Sequence, residues 1–338
     1  MTVGVAVIGL GFMGRTHVRA YRNAGSACRL VGVYDIDPSR LTGESGEAGN
    51  IATGSDEARL FDPDEVFATD SLDKLLASDE VDAVSVCTPT DTHCAVARAA
   101  LRAGKHALVE KPVSLDRAEL GALDEEATRA GRLCMPAMCM RFWPEWAWLA
   151  ETLRRGDLGP ARSLAFERVG AAPSWGGGFY QDAARCGGAF HDLHIHDTDF
   201  VCHLLGAPKA VTSVGDHGRV TTLYHFDGGP RHVVATGGWM RGGVGFRMRY
   251  IAEFERGTAD FDLTREPTLC LARAEGGGPR PVGVGPGAGY DGEVRAFVDA
   301  IASGGSAPVT LRDAAETLAV LEAEARSMES GRREAIDI

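Results

Sequence analysis

The sequence predicts an α/β protein in two parts: a doubly wound parallel sheet over residues 1–135, then a domain built on a mostly antiparallel sheet over residues 136–338. Three observations predict it. Strand and helix signals alternate along the first part, as a parallel sheet with crossover helices requires. A glycine-rich turn, Gly9-x-Gly11-x-x-Gly14, joins the first strand signal to the first helix signal. After about residue 140 the signals become successive strands with hairpin-type joins such as Asp227-Gly228-Gly229.

The opening apolar run, VGVAVI at 3–8, has no basic flank and is closed by glycines, so it reads as a buried strand and not as a secretory leader. In the turn, Gly9 permits the tight bend, Gly11 lets the backbone approach a pyrophosphate, and Gly14 lets helix and strand pack closely. The helix expected over 13–24 offers free N–H groups and a partial positive charge to an anion, and Phe12 and Met13, within the glycine turn, are candidate cofactor contacts. The second strand, RLVGVYD (29–35), ends in Asp35, 21 positions after Gly14. A carboxylate about 20 residues on is placed to hydrogen-bond an adenosine ribose. It also repels a 2′-phosphate, so NAD is expected over NADP, while Arg40 leaves NADP open as a second cofactor.

VDAVSVCT (81–88) follows as a buried strand, then a turn through Pro89 to His93 and a helix over 92–103. HALVEKP (106–112) is the next strand, a helix runs from the capping-type Ser114 to Ala130, and RLCMPAM (132–138) is the last strand of this part. Residues 41–63, rich in Gly, Ser and acids, read as a loop near the adenosine end. In the second part, 161–169, 220–227, 231–240 and 247–263 read as strands, and 290–303 and 311–330 as helices. A sheet of this kind suits a pocket wall or an interface between copies of the chain.

Composition narrows the partners. The net charge is −12 with no long basic run, which argues against nucleic acid or an anionic membrane surface. No apolar run approaches the roughly 18 residues of a membrane span. The eight cysteines show no C-x-x-C or metal-ribbon spacing, so a reducing cytoplasm is expected.

The least ordinary stretch is GGAFHDLHIHDTDFVCHLLG, 187–206. On a single helix, Asp192, His196, Asp199 and His203 share one face, and Leu193, Phe200, Val201 and Leu204 take another. A carboxylate one turn before a histidine suits a general base with its orienting partner. The same spacing also fits a solvated face with charge pairs. His191, His194 and His196 cluster, yet His194 and His196 point roughly 200° apart on a helix, and no metal is expected.

GxGxxG with its following Asp, CTPTDTH (87–93), EKP (110–112) and GG-x(3)-D-x(3)-H-D together resemble the glucose–fructose oxidoreductase and inositol dehydrogenase family, Gfo/Idh/MocA, over essentially the whole chain. The resemblance implies an N-terminal Rossmann domain and a C-terminal α/β domain with a large open sheet. It also implies a homodimer or homotetramer through that sheet, and hydride transfer between NAD(P) and a carbinol of a sugar or cyclitol. On it, Gly9, Gly11, Gly14 and Asp35 match the cofactor fingerprint. Thr88, Pro89 and His93 match the loop beside the nicotinamide, and Glu110 matches the glutamate of the EKP turn. Lys111 matches the active-site lysine, placing positive charge at the carbinol oxygen. Asp192 and His196 match the acid/base pair, and Asp199 a position that touches substrate hydroxyls. Arg141 resembles a substrate-side arginine.

SWGGGFYQD (174–182) reads either as a substrate-side loop, with Trp175 and Tyr180 offering flat faces to a sugar ring, or as a surface loop anchored by aromatics. His191 and His194 stand where relatives often carry aliphatic or small residues, and either reach substrate or fill space behind it. Glu167 and Arg168 stand where inositol-acting relatives often present other polar residues, an argument against myo-inositol itself. Two other functions share the fold: an NAD-dependent glycosidase with transient redox, and a non-catalytic sugar or nucleotide sensor. The intact lysine–aspartate–histidine set argues against the sensor.

Overall fold

The computed structural model describes residues 2–44, 59–174 and 177–337. Trp175, and most of the loop expected over 41–63, lie outside the described residues. The chain divides into two compact units, one of Met1–Phe142, Trp175–Phe179 and Ala288–Ala315, the other of Trp143–Ser174, Tyr180–Gly287 and Glu316–Ile338.

The first unit is built on β1 (Val3–Ile8), α1 (Phe12–Asn23), β2 (Cys28–Tyr34), β3 (Phe67–Thr69), α2 (Leu72–Leu76), β4 (Ala83–Val86), α3 (His93–Arg102), β5 (His106–Glu110), α4 (Arg117–Ala130) and β6 (Cys134–Ala137). Its six strands are parallel in the order β3-β2-β1-β4-β5-β6. The central strand β1 is buried along its whole length, which its nearly unbroken apolar sequence requires of a strand covered on both faces.

Helix α4 starts later than its sequence predicts. Asp116 caps it by accepting from Ala118 N at 2.9 Å, whereas Ser114 Oγ donates to Glu119 at 2.6 Å and accepts from Asp116 N at 3.0 Å. Two candidate caps lay two residues apart, and the carboxylate took the helix.

The second unit begins with α5 (Pro144–Arg155), started by Pro144 at its first position and closed by Gly156 at φ 69°. There follow β7 (Ala161–Ala171), α6 (Ala183–Cys186), α7 (Ile195–Leu205), β8 (Ala210–Asp216), β9 (Arg219–His225), β10 (His232–Met240), β11 (Arg247–Phe254), β12 (Gly257–Asp262), β13 (Leu269–Arg273) and β14 (Arg280–Pro281). Helices α8 (Gly289–Ser303) and α9 (Leu311–Ser330) and a short β15 (Glu334–Ala335) complete the chain. α8 lies in the first unit, where Asn23 Nδ2 donates to Asp291 at 3.0 Å and Arg295 to the Ala24 carbonyl at 3.2 Å.

The second sheet has nine strands in the order β14-β13-β12-β11-β7-β10-β9-β8-β15. All pairings are antiparallel except β7 with β10. The single strand expected over 247–263 is a hairpin, β11 and β12, turning at Glu255 and Arg256. β8, β13, β14 and β15 were not legible as strands.

One face of this sheet carries the core. Trp146 of α5 stacks on Phe166 at 5.5 Å and meets Phe200 and Tyr250 edge-on at 4.7 and 5.5 Å. Each such pair adds about 0.5–1.5 kcal/mol beyond the area buried. On the other face the register aligns Ile251, Ala165, Val234, Leu223 and Thr212 in one row across five strands. That row is half-buried or exposed, with the Arg249–Glu167 ion pair at 3.0 Å beside it.

Among the described residues no helix is long and apolar enough to cross a membrane, and no group of metal-ligating side chains comes together. The cysteines are free thiols.

Candidate active site

In the first unit, the turn from β1 to α1 has the geometry its glycines demand. Gly9 adopts φ 90°, and a Cβ on Gly14 would stand in the Gly9 carbonyl group, so no larger residue fits there without separating helix from strand. Space beside Gly11 is open, and it caps α1 with no side-chain hydrogen bond to the first N–H groups. Those donors and the half-buried Phe12 and Met13 line a cradle for an anion.

Asp35 lies at the end of β2, fixed at both oxygens: Oδ2 accepts from Leu10 N at 2.7 Å and Oδ1 from Asp37 N at 2.9 Å. Oδ1 keeps a second lone pair for a ribose hydroxyl, whereas Oδ2 also accepts from Arg40 Nη1. Arg40 reaches Asp35 at 3.4 Å and Asp37 at 3.7 Å. Ile36, missed in the sequence, is 80% exposed beside them and offers an apolar face at the adenosine end. The residues present fit NAD.

Asp35→Ala is expected to weaken NADH binding by about 1.5–3 kcal/mol, the worth of hydrogen bonds to a charged group, and to relieve discrimination against NADPH. Fluorescence titration with both nucleotides measures this. A wild-type protein that binds NADPH as tightly as NADH contradicts it.

At the carboxyl ends of β4 and β5 a second group assembles. Thr92 Oγ1 donates to Thr88 Oγ1 at 2.7 Å in the turn opened by Pro89. His93 is buried, with Nε2 at 2.7 Å from the Thr88 carbonyl and Nδ1 at 2.9 Å from that of Pro112. Burial pushes the His93 pKa down against the pull of these two acceptors. His93 lies between the Thr88 loop and the turn that carries Lys111, and the one ring proton of its neutral form goes to one of these two carbonyls. Glu110 is buried at the end of β5; its Oε2 accepts from Lys111 N at 3.0 Å and its Oε1 lies 3.0 Å from His17 Nε2. Burial raises the Glu110 carboxyl, but His17, Lys111 and His93 outweigh it and hold the pKa below its ordinary value. Arg141, almost wholly buried, lies 3.7 Å from Asp313.

In the second unit, the stretch expected as one helix is two. Phe190–His194 form a π-helical turn, and α7 begins only at Ile195. The regular face expected for Asp192, His196, Asp199 and His203 is therefore broken between Asp192 and His196, because a π turn rotates less per residue than an α turn. Nor is this a solvated face: His196, Asp197, Thr198 and Asp199 are all buried, while His203 is exposed.

Three neighbours shape the turn. Phe190 packs against the rings of His191, His194 and His217 at 4.9, 5.9 and 5.4 Å. The turn approaches β10 so closely that a Cβ on Gly237 would lie 2.8 Å from His194 Cβ. His194 Nε2 lies 2.7 Å from Glu324, which also accepts from Thr198 at 3.1 Å and Thr222 at 3.0 Å. His194 Nδ1 meets no partner among the described residues, which places the ring proton on Nε2. His194 thus anchors the turn to α9. His191 Nδ1 lies 3.1 Å from the Gly187 carbonyl.

Arg168 does not face a substrate as its position in the sequence suggests. It pairs with Asp197 at 3.0 and 3.3 Å, both side chains buried, and its guanidinium lies 5.1 Å from the centre of the Trp146 ring. Burial raises the Asp197 pKa in spite of Arg168. Glu167 turns to the other face and Arg249. The argument against myo-inositol drawn from these two residues falls with their placement. Asp199 accepts from Thr317 at 3.3 Å, and Tyr180 packs edge-on to Trp239 at 6.1 Å.

The chain matches two family descriptions. Residues 3–138 match the Gfo/Idh/MocA oxidoreductase family with an NAD-binding Rossmann fold, and residues 146–259 the Gfo/Idh/MocA C-terminal domain. An inositol 2-dehydrogenase of Rhizobium meliloti is 26% identical over 98% of this chain and 99% of its own. A UDP-N-acetylglucosamine 3-dehydrogenase of Acidithiobacillus ferrooxidans is 35% identical over 62% of this chain and 56% of its own. The structure of a levoglucosan dehydrogenase with NADH and levoglucosan has the same fold, at TM-score 0.80 and 21% identity over 100% of both chains. With its dinucleotide cradle in place and both domains matched, the chain belongs to the Gfo/Idh/MocA family and is an NAD-dependent oxidoreductase.

Proposed function

We propose that the protein oxidises a ring carbinol of a cyclitol or sugar, with Lys111, Asp192 and His196 as its catalytic residues. The observation that carries this reading is the burial of His196 on α7, where a solvated helix face would leave it exposed. The glycine turn and Asp35 would hold NAD, which would supply the acceptor for the carbinol hydride. Lys111 holds a positive charge at the carbinol oxygen as negative charge develops there. His196 Nδ1 or Nε2 takes the hydroxyl proton, and Asp192 fixes which nitrogen is free to do so. Arg141, Asp199 and the 174–182 loop with Trp175 are the proposed substrate contacts. Inositol is retained as a substrate because the similar chain of Rhizobium meliloti is an inositol 2-dehydrogenase.

Incubation with NAD and a panel of inositols, aldoses and sugar acids, read at the NADH absorbance band, tests the reading. At least one member is expected to give NADH, and a panel without response contradicts it.

The open face of the second sheet is proposed as the homo-oligomer interface. The apolar row through Ile251 and Leu223 is flanked by charges of both signs on neighbouring strands, a pattern that a two-fold axis can match to itself. A stable interface of this kind buries about 1,200–2,000 Å². Light scattering is expected to give a dimer or tetramer mass at micromolar concentration, and Ile251→Arg to shift it toward the monomer. A wild-type monomer contradicts the proposal. The free thiols suit a reducing cytoplasm.

A further inference from the structure

Behind Lys111 runs a buried chain of polar side chains that binding of the cofactor does not explain. Tyr21 Oη lies 2.7 Å from Ser85 Oγ, Ser85 Oγ 3.0 Å from His17 Nδ1, and His17 Nε2 3.0 Å from Glu110 Oε1. Glu110 Oε2 then accepts from the Lys111 main-chain N–H at 3.0 Å. The chain crosses from α1 through β4 to β5. His17 and Ser85 are wholly buried, and Tyr21 and Glu110 nearly so.

We propose that His17 is a positioning residue for Lys111, holding the Glu110 carboxylate so that the main chain of Lys111 takes one orientation. The proposal rests on the reading of Lys111 as the active-site lysine. A carboxylate held at one oxygen swings about its side-chain bonds, whereas one held at both oxygens does not. The donors run in one direction. The Glu110 carboxylate only accepts, so His17 Nε2–H donates to it; with Nδ1 as the acceptor, Ser85 donates to His17 and Tyr21 to Ser85. An apolar set of equal volume would join the same three elements without burying a carboxylate. What the polar chain adds is direction at the residue next to Lys111. Because His17 sits on α1, three residues after Gly14, the helix of the dinucleotide cradle and the lysine are tied by one set of hydrogen bonds.

The lysines of the chain are Lys74, Lys105, Lys111 and Lys209, few enough to resolve individually. Reductive dimethylation of the cofactor-free protein with a ¹³C label gives each a methyl signal, and Lys111→Arg assigns that of Lys111. His17→Gln keeps an N–H donor where Nε2 stands; His17→Asn keeps one where Nδ1 stands and leaves Glu110 Oε1 without it.

The Lys111 signal is expected to move in His17→Asn and to stay at its wild-type position in His17→Gln. The kcat is expected to fall by about tenfold or more in the first only, the lower range for a misplaced charged group. Equal displacement in both variants, or none in either, overturns the proposal. Should His17→Asn fail to fold, Ser85→Ala removes the hydroxyl that orients the ring; a Lys111 signal unmoved in that variant overturns it equally. Full activity in Lys111→Ala sinks the role of Lys111 itself and leaves the methyl shifts to decide the positioning claim.

Discussion

Replacing His196 with alanine is expected to lower kcat by roughly 10²–10⁴, the usual worth of a positioned acid or base, with NADH affinity almost unchanged. The separation of effects follows from placement: His196 belongs to the second unit, and the glycine turn and Asp35 to the first. Asp192→Asn costs less than His196→Ala if Asp192 orients the imidazole without carrying the proton. In the oxidation direction kcat is expected to rise with pH if a base takes the hydroxyl proton, and that rise is expected to disappear in the His196 variant. Steady-state kinetics across pH, beside fluorescence titration of NADH, measures all of this. A His196→Ala enzyme that keeps more than about a tenth of its kcat removes the residue from the mechanism.

Asp197→Ala is expected to cost about 3–5 kcal/mol of stability, because it leaves the buried guanidinium of Arg168 without its carboxylate. The loss is larger than that of an exposed pair such as Arg154–Glu151, which water and salt screen. Replacing both partners, Arg168→Met with Asp197→Leu, should recover most of it, since no charge is then stranded in the core. Thermal and urea unfolding of the single and double variants checks the sign. An Asp197→Ala protein as stable as the wild type would mean that the pair does not hold α7 against β7.

What the sequence showed and what it hid divide along the range of the interactions. The dinucleotide cradle was legible because its information is local: three glycines, a strand before them, a helix after them, and Asp35 at the end of the next strand. β1, α1 and α9 fell close to their expected bounds for the same reason. The Arg168–Asp197 pair spans 29 residues and the His194–Glu324 contact 130, so neither leaves a mark in any local window. The π turn was hidden differently. Its residues have an ordinary helical pattern, and its close approach to β10 at Gly237 depends on a residue distant in the sequence. The hairpin of β11 and β12 read as one strand because Glu255 and Arg256 are not turn formers. Of the proposed site, Asp192 and His196 are legible from helical spacing and Lys111 from the family resemblance, whereas the contacts among His17, Ser85 and Tyr21 are long-range and leave no local mark.

The most direct test of the central claim follows the hydrogen itself. The polyol that gives NADH in the panel is prepared with deuterium on its reacting carbinol carbon and turned over with NAD. The account predicts one deuterium per product at C4 of the reduced nicotinamide, together with the ketone of the polyol. Unlabelled NADH, or release of a sugar with no net NADH, would contradict it.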